Sequence, residues 1–109
     1  MTVTAESRRR IFNHFAKRLE ERFGGGLDAL TLWRALARAL AVEDRNLLRL
    51  VARVNRRGRR IFLCRLADGR FCFVLFDCSI GLPITVFREG MVISREGKGS
   101  LRLGVPREF

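Results

Sequence analysis

Hydrophobic and polar positions organise this chain most plainly between Arg59 and Arg88, where RRIFLCRLADGRFCFVLFDCSIGLPITVFR holds three apolar runs separated by two short turns. Asp68-Gly69, set between alternating apolar runs, is a strong hairpin signal. A two-residue turn there places Leu66 opposite Phe71, Cys64 opposite Phe73, Phe62 opposite Leu75 and Arg60 opposite Asp77. Arg60, Phe62, Cys64, Leu66, Phe71, Phe73, Leu75 and Asp77 then share one face, with Ile61, Leu63, Arg65, Cys72, Val74 and Phe76 on the other. Both faces are mostly apolar, so this strand pair belongs in mid-sheet and needs cover on two sides. The N-terminal half supplies one cover. Met91–Val105 is the candidate for the second, and a homodimer is the alternative.

Upstream the period changes from two to helical. Ile11, Phe12, Phe15, Ala16, Leu19 and Phe23 form one stripe over a helix at 6–23, capped by Thr4 or Ser7 and ended by Gly24-Gly25-Gly26. Asp28 is the expected cap of a second helix over 29–41, whose Leu30, Leu32, Trp33, Leu36 and Leu40 make it a core element; Trp33 reads as core rather than as a base-stacking platform. The segment 43–54 fits a helix or a strand, and the turn residues Asn55-Arg56-Arg57-Gly58 after it favour a strand. Leu82–Arg88, Met91–Ser94 and Leu101–Val105 complete the sheet, with short tails at Met1–Ala5 and Arg107–Phe109. The expected architecture is α+β: one domain over 1–109, with two N-terminal helices on a four- to six-stranded antiparallel sheet spanning about 48–105.

Charge changes the picture. The 22 basic residues against 11 acidic ones give a net charge of +11, which calls for a polyanionic partner, nucleic acid or an acidic protein. All of the basic residues except Lys17 and Lys98 are arginine, whose planar fork grips phosphate in two places. No apolar run is long enough to span a membrane, and no N-terminal apolar signal stands out, so a cytoplasmic protein is expected. Cys64, Cys72 and Cys78 lack metal or redox spacing and read as buried small hydrophobes. With a single histidine and scattered cysteines, neither a metal site nor an organic cofactor is expected.

One constellation carries chemistry. His14, Arg18 and Arg22 recur every four residues and drift only about 80° around the first helix, so they share one edge beside the apolar stripe. With Arg60 and the hydroxyl of Thr85 they make the inventory of metal-independent RNA cleavage: a base for the 2′-hydroxyl, cations for the phosphorane charge and a hydroxyl to orient it. Arg49, Arg53, Arg56, Arg57, Arg59, Arg65 and Arg88 are the candidate nucleic-acid contacts, and four arginines fall within Asn55–Arg60.

The pattern His14-x-x-x-Arg18-x-x-x-Arg22, a second helix, and strands ending in Ile84-Thr85-Val86-Phe87-Arg88 resembles small proteins of the barnase/colicin/RelE-type ribonuclease superfamily. The resemblance covers about Ile11 to Arg88. It implies helices on a four-stranded antiparallel sheet, RNA bound on the sheet face beside the first helix, and a toxin-like ribonuclease restrained by an acidic antitoxin or immunity protein. Phe15 stands where such relatives often carry alanine, and about 20 residues follow the final strand of the pattern. A non-catalytic nucleic-acid-binding module and a phage or plasmid inhibitor docking on a host protein are the other readings of the same basic sheet.

Overall fold

The computed structural model describes residues 3–107; the outer ends of the two expected tails, Met1, Thr2, Glu108 and Phe109, lie outside the described residues. Its elements follow one another as α1 (Ala5–Phe23), α2 (Ala29–Ala41), β1 (Arg49–Arg53), β2 (Arg59–Arg65), β3 (Phe71–Asp77), β4 (Leu82–Phe87), β5 (Val92–Arg95) and β6 (Gly99–Arg102). β1 to β4 form one antiparallel sheet in chain order, and β5 pairs with β6 in a second. The fold is α+β.

Helix ends are set by local chemistry. Thr4 Oγ1 accepts from the Ser7 amide at 3.1 Å, and Asp28 Oδ1 accepts from the Thr31 amide at 3.1 Å. Gly24, at φ +85°, turns the chain out of α1. α2 ends differently. The Asp44 amide donates to Ala39 O and the Glu43 amide to Leu40 O, the paired bonds of a Schellman turn. The left-handed position of that turn usually belongs to glycine, yet here Glu43 holds it at φ +52°. A side chain there costs about 1–2 kcal/mol.

Of the α1 stripe, Phe15, Leu19 and Phe23 are buried and Ile11, Phe12 and Ala16 half-buried, with Phe15 fully enclosed against the sheet. α1 packs along β4 and beside α2. Trp33 is buried and its Nε1 donates to Pro83 O at 3.0 Å, which binds α2 to the edge strand; it is a core residue.

The central hairpin departs from the expected register by one residue. Asp68-Gly69 do not form a two-residue turn. Leu66 N donates to Arg70 O at 2.7 Å and Gly69 N to Leu66 O at 2.9 Å, so Ala67, Asp68 and Gly69 make a three-residue loop with Gly69 at φ +90°. The Asp68 carboxylate stabilises this longer turn by accepting from the Arg70 amide at 3.0 Å and from Arg70 Nε at 2.8 Å. Cys64 therefore lies opposite Cys72 and Leu63 opposite Phe73. A one-residue slip regroups every side chain of one strand. Phe62, Cys64, Leu66, Cys72, Val74 and Phe76 meet the helices. Ile61, Leu63, Phe73 and Leu75 face the other way.

That second face has its own cover. Ile93, Leu101, Leu103 and Val105 of the C-terminal hairpin pack on it, and Glu96 N donates to Val54 O at 2.7 Å to fasten the hairpin to the sheet. The apolar surface that suggested a homodimer is thus filled from within the chain. Cys64 and Cys72 are free and buried side by side on the helix face. Their mutual hydrogen bond, helped by burial, pushes the Cys72 thiol well above the usual range. Both side chains are enclosed in the core.

Candidate nucleic-acid interface

The arginines expected to act together fall into two groups. The first is built at the β1–β2 connection. Asn55 Oδ1 accepts from the amides of Arg57 at 2.9 Å and Arg59 at 3.1 Å, closing the turn on its own side chain. Gly58 sits at φ +102°, where an added Cβ would come within 3.2 Å of the Ser79 amide nitrogen, and its carbonyl accepts from Cys78 N at 2.8 Å. The turn is held from both sides.

Opposite it stands the β5–β6 turn. Arg95 reaches along that turn to the carbonyls of Lys98 at 3.1 Å and Gly99 at 3.4 Å, which fixes the tip. Between the two turns lies a cleft of about 320 Å³ whose charged lining is Arg53, Arg56, Arg60 and Lys98 against Glu96 alone. None of these four cations makes an ion pair among the described residues. Arg57 stands exposed beside them, whereas Arg59 lies 4.0 Å from the Asp77 carboxylate and is partly neutralised.

Asn55→Ala removes one acceptor shared by two turn amides. It is expected to lower stability by about 1–2 kcal/mol and to weaken polyanion binding, because Arg56 loses its fixed position. Urea unfolding and oligonucleotide titration read the two effects; a variant unchanged in both would show that the turn needs no such anchor.

The second group flanks α1. Arg22 Nη1 donates to Val86 O at 2.6 Å and its guanidinium lies 5.1 Å over the Phe87 ring. Burial, then the neighbouring charges of Arg18 and Arg88, lower its pKa from the ordinary arginine value. Arg18 is bonded to Glu21 at 2.8 Å, and that contact holds the Glu21 carboxyl below its usual range. His14 is exposed.

The five residues expected to cooperate in cleavage are not brought together. Thr85 pairs with Leu75, on the face under the C-terminal hairpin, and is 7% exposed with no hydrogen-bond partner for its hydroxyl among the described residues. Arg60 lies on β2 with the β1–β2 turn, separated by β3 from β4, along which α1 packs. Arg65 is elsewhere again, 4.7 Å over the Phe71 ring at the other end of β2.

A second cavity, of about 410 Å³, opens where the helices leave β1 and β2 bare. Leu48, Leu50 and Phe62 form its apolar wall; Glu43, Asp44, Arg45, Arg49 and Arg60 line it with charge. Arg60 belongs to both hollows. Lys98, Glu43 and Arg45 escape a reading of local pattern, because they reach the interface only through the docking of one turn on another. Lys98 between two glycines at a hairpin tip is the one local hint. Among the described residues no group of histidine, cysteine and carboxylate side chains could hold a metal, and no helix is long and apolar enough to cross a membrane. Comparison of the chain with protein-family models, curated proteins and solved structures finds no match, so the likeness to the ribonuclease superfamily rests on its own residues alone.

Proposed function

We propose that this protein is a basic nucleic-acid-binding module that grips the sugar-phosphate backbone of a single RNA strand in the cleft between the β1–β2 and β5–β6 turns. The observation that carries it is the cleft itself: four cations without ion pairs converge on one hollow that contains one carboxylate. Guanidinium forks on a braced turn are preorganised for phosphate, which limits the entropy lost on binding. A concave site of about 320 Å³ suits one strand better than the broad surface of a duplex. The apolar sheet faces that would serve docking on a host protein are already occupied by α1, α2 and the C-terminal hairpin.

Binding through phosphates releases counterions, so affinity for a short RNA is expected to fall by orders of magnitude between about 50 and 200 mM salt if six or more contacts form. An affinity that is flat over that range, or absent at low salt, overturns the proposal.

The ribonuclease reading keeps one supporting observation, the reach of Arg22 from the helix edge it shares with His14 and Arg18 to Val86 O and the Phe87 ring on β4. It needs no metal, since the nucleophile is the substrate's own 2′-hydroxyl. Total RNA incubated with the protein in chelator decides it. Cleavage that disappears in His14→Ala while RNA affinity persists supports an enzyme, and an acidic protein that copurifies would be its antitoxin. Intact RNA at every pH leaves the binding module.

A further inference from the structure

Glu43 occupies a position that a glycine would fill without strain. It is the only non-glycine residue with positive φ among the described residues, and it lines the mouth of the 410 Å³ cavity. Strain that the fold itself does not require points to a use for the side chain. Its carboxylate is exposed and makes no ion pair with a described residue. The cavity is of the size of small-molecule sites, with one apolar wall and a charged side on which the other carboxylate, Asp44, already accepts from the Asn46 and Leu47 amides at 3.0 and 3.1 Å. Leu50, which forms part of that wall, is 48% exposed, and Phe62 is half-buried. Arg60 stands between this cavity and the basic cleft, so a ligand spanning both would present a negative charge on one side of Arg60 and a flat apolar group on the other.

A nucleotide has that shape. We propose that the cavity receives a base whose phosphate lies in the cleft, and that Glu43 selects bases carrying an exocyclic amino group over uracil. This inference rests on the nucleic-acid reading given above. A carboxylate can only accept hydrogen bonds. Cytosine and adenine offer it an amino group, whereas uracil presents a carbonyl oxygen at the same edge and repels it. Arg45 on the same rim supplies donors for the base acceptors beside the amino group. Selection at this exposed carboxylate comes from the sign of the contact: an amino group donates to it, whereas the uracil oxygen sets one acceptor against another.

Cytidine and uridine differ at that edge and little in shape, so they make the test. Hexamers of oligocytidylate and oligouridylate are titrated into the full chain, with cytidine and uridine monophosphates in parallel arms. The parent is expected to favour the cytidine hexamer by tenfold or more. Glu43→Gly should bring oligocytidylate down to the affinity of oligouridylate while raising the denaturant midpoint, since glycine relieves the left-handed strain. A residue that served structure alone would not uncouple the two readouts in that way. Monophosphates bound with the same preference would make a free nucleotide the ligand; preference confined to the hexamers would make it a strand. Equal binding of both hexamers by the parent, or a preference that survives Glu43→Gly, overturns the base site and leaves phosphate binding standing. Failure of both hexamers to bind at low salt removes the nucleic-acid reading as well.

Discussion

Replacing Arg53, Arg56 and Arg60 together by alanine is expected to cut affinity for a short single-stranded RNA by at least a hundredfold near 100 mM salt. Each charge-assisted hydrogen bond contributes about 1.5–3 kcal/mol, so three lost contacts exceed that factor even when they are not additive. Losing three phosphate contacts should also reduce the slope of log affinity against log salt by about 2. The thermal midpoint should move little, because none of the three makes an ion pair among the described residues and Arg53 and Arg56 are exposed. The control is an equal change of charge elsewhere: Arg9, Arg34 and Arg38 are exposed on the two helices. If net charge of +11 acts only as a diffuse field, both triple variants weaken binding alike. If the cleft is the site, the helix variant keeps most of the affinity. Equal losses would dissolve the cleft into a general basic surface, and a larger loss from Arg18, Arg22 and Arg88 would move the interface to the edge of α1.

How much of this was readable in the sequence depended on how local each cause is. Both helices and the Asp28 cap follow from residues that meet within a turn or two; the first cap, open between Thr4 and Ser7, falls at Thr4, and the strand favoured within 43–54 is confined to 49–53. The doubly apolar central hairpin also told correctly that two covers were needed, and Met91–Val105 supplies the second. The register failed on one detail. Asp68-Gly69 favours a tight turn by type, but the Asp68 carboxylate bonds both the amide and the guanidinium of Arg70 and draws a third residue into the loop. The shift has a consequence for the site, since the expected faces grouped Phe62 and Cys64 with Phe73 and Leu75, which lie on opposite sides.

The candidate site was legible as a class of partner and not as a place. Twofold excess of basic over acidic residues shows in any reading of the chain. Which of the cations converge depends on how the β5–β6 turn docks beside Asn55–Gly58, and that is a contact between residues about forty positions apart. His14, Arg18 and Arg22 do share one helix edge, as their spacing requires. Thr85 cannot join them, because α1 lies on one side of the sheet and Thr85 points to the other, beneath the C-terminal hairpin. The extension past Arg88 is what closes that face, so the segment absent from the resembling pattern is also the one that removes the expected groove.

Deleting the residues after Ser94 is expected to have the largest effect of any change considered. It removes β6 together with Leu101, Leu103 and Val105, which lie over Ile61, Leu63, Phe73 and Leu75. It also removes three bonds that seal the hairpin: Leu103 N to Met91 O at 2.9 Å, Gly90 N to Leu103 O at 2.7 Å and Val105 N to Glu89 Oε2 at 2.9 Å. Leu103 is 1% exposed, and truncating such a side chain to alanine by itself costs about 2–5 kcal/mol. The whole segment therefore approaches the total stability of a small domain, about 5–15 kcal/mol. The shortened chain should bind a hydrophobic dye, associate at micromolar concentration and lose its cooperative thermal transition. Because a chain that never folds says little about where the cover sits, Leu103→Ala is the sharper measurement. It should fold, keep its RNA affinity and lower the thermal midpoint by roughly 10–30 °C, the shift that about 2–5 kcal/mol produces in a domain of this size. A truncated protein that stays monomeric with its transition intact, or a Leu103→Ala variant as stable as the parent, would mean that the hairpin rests on the sheet without supporting it.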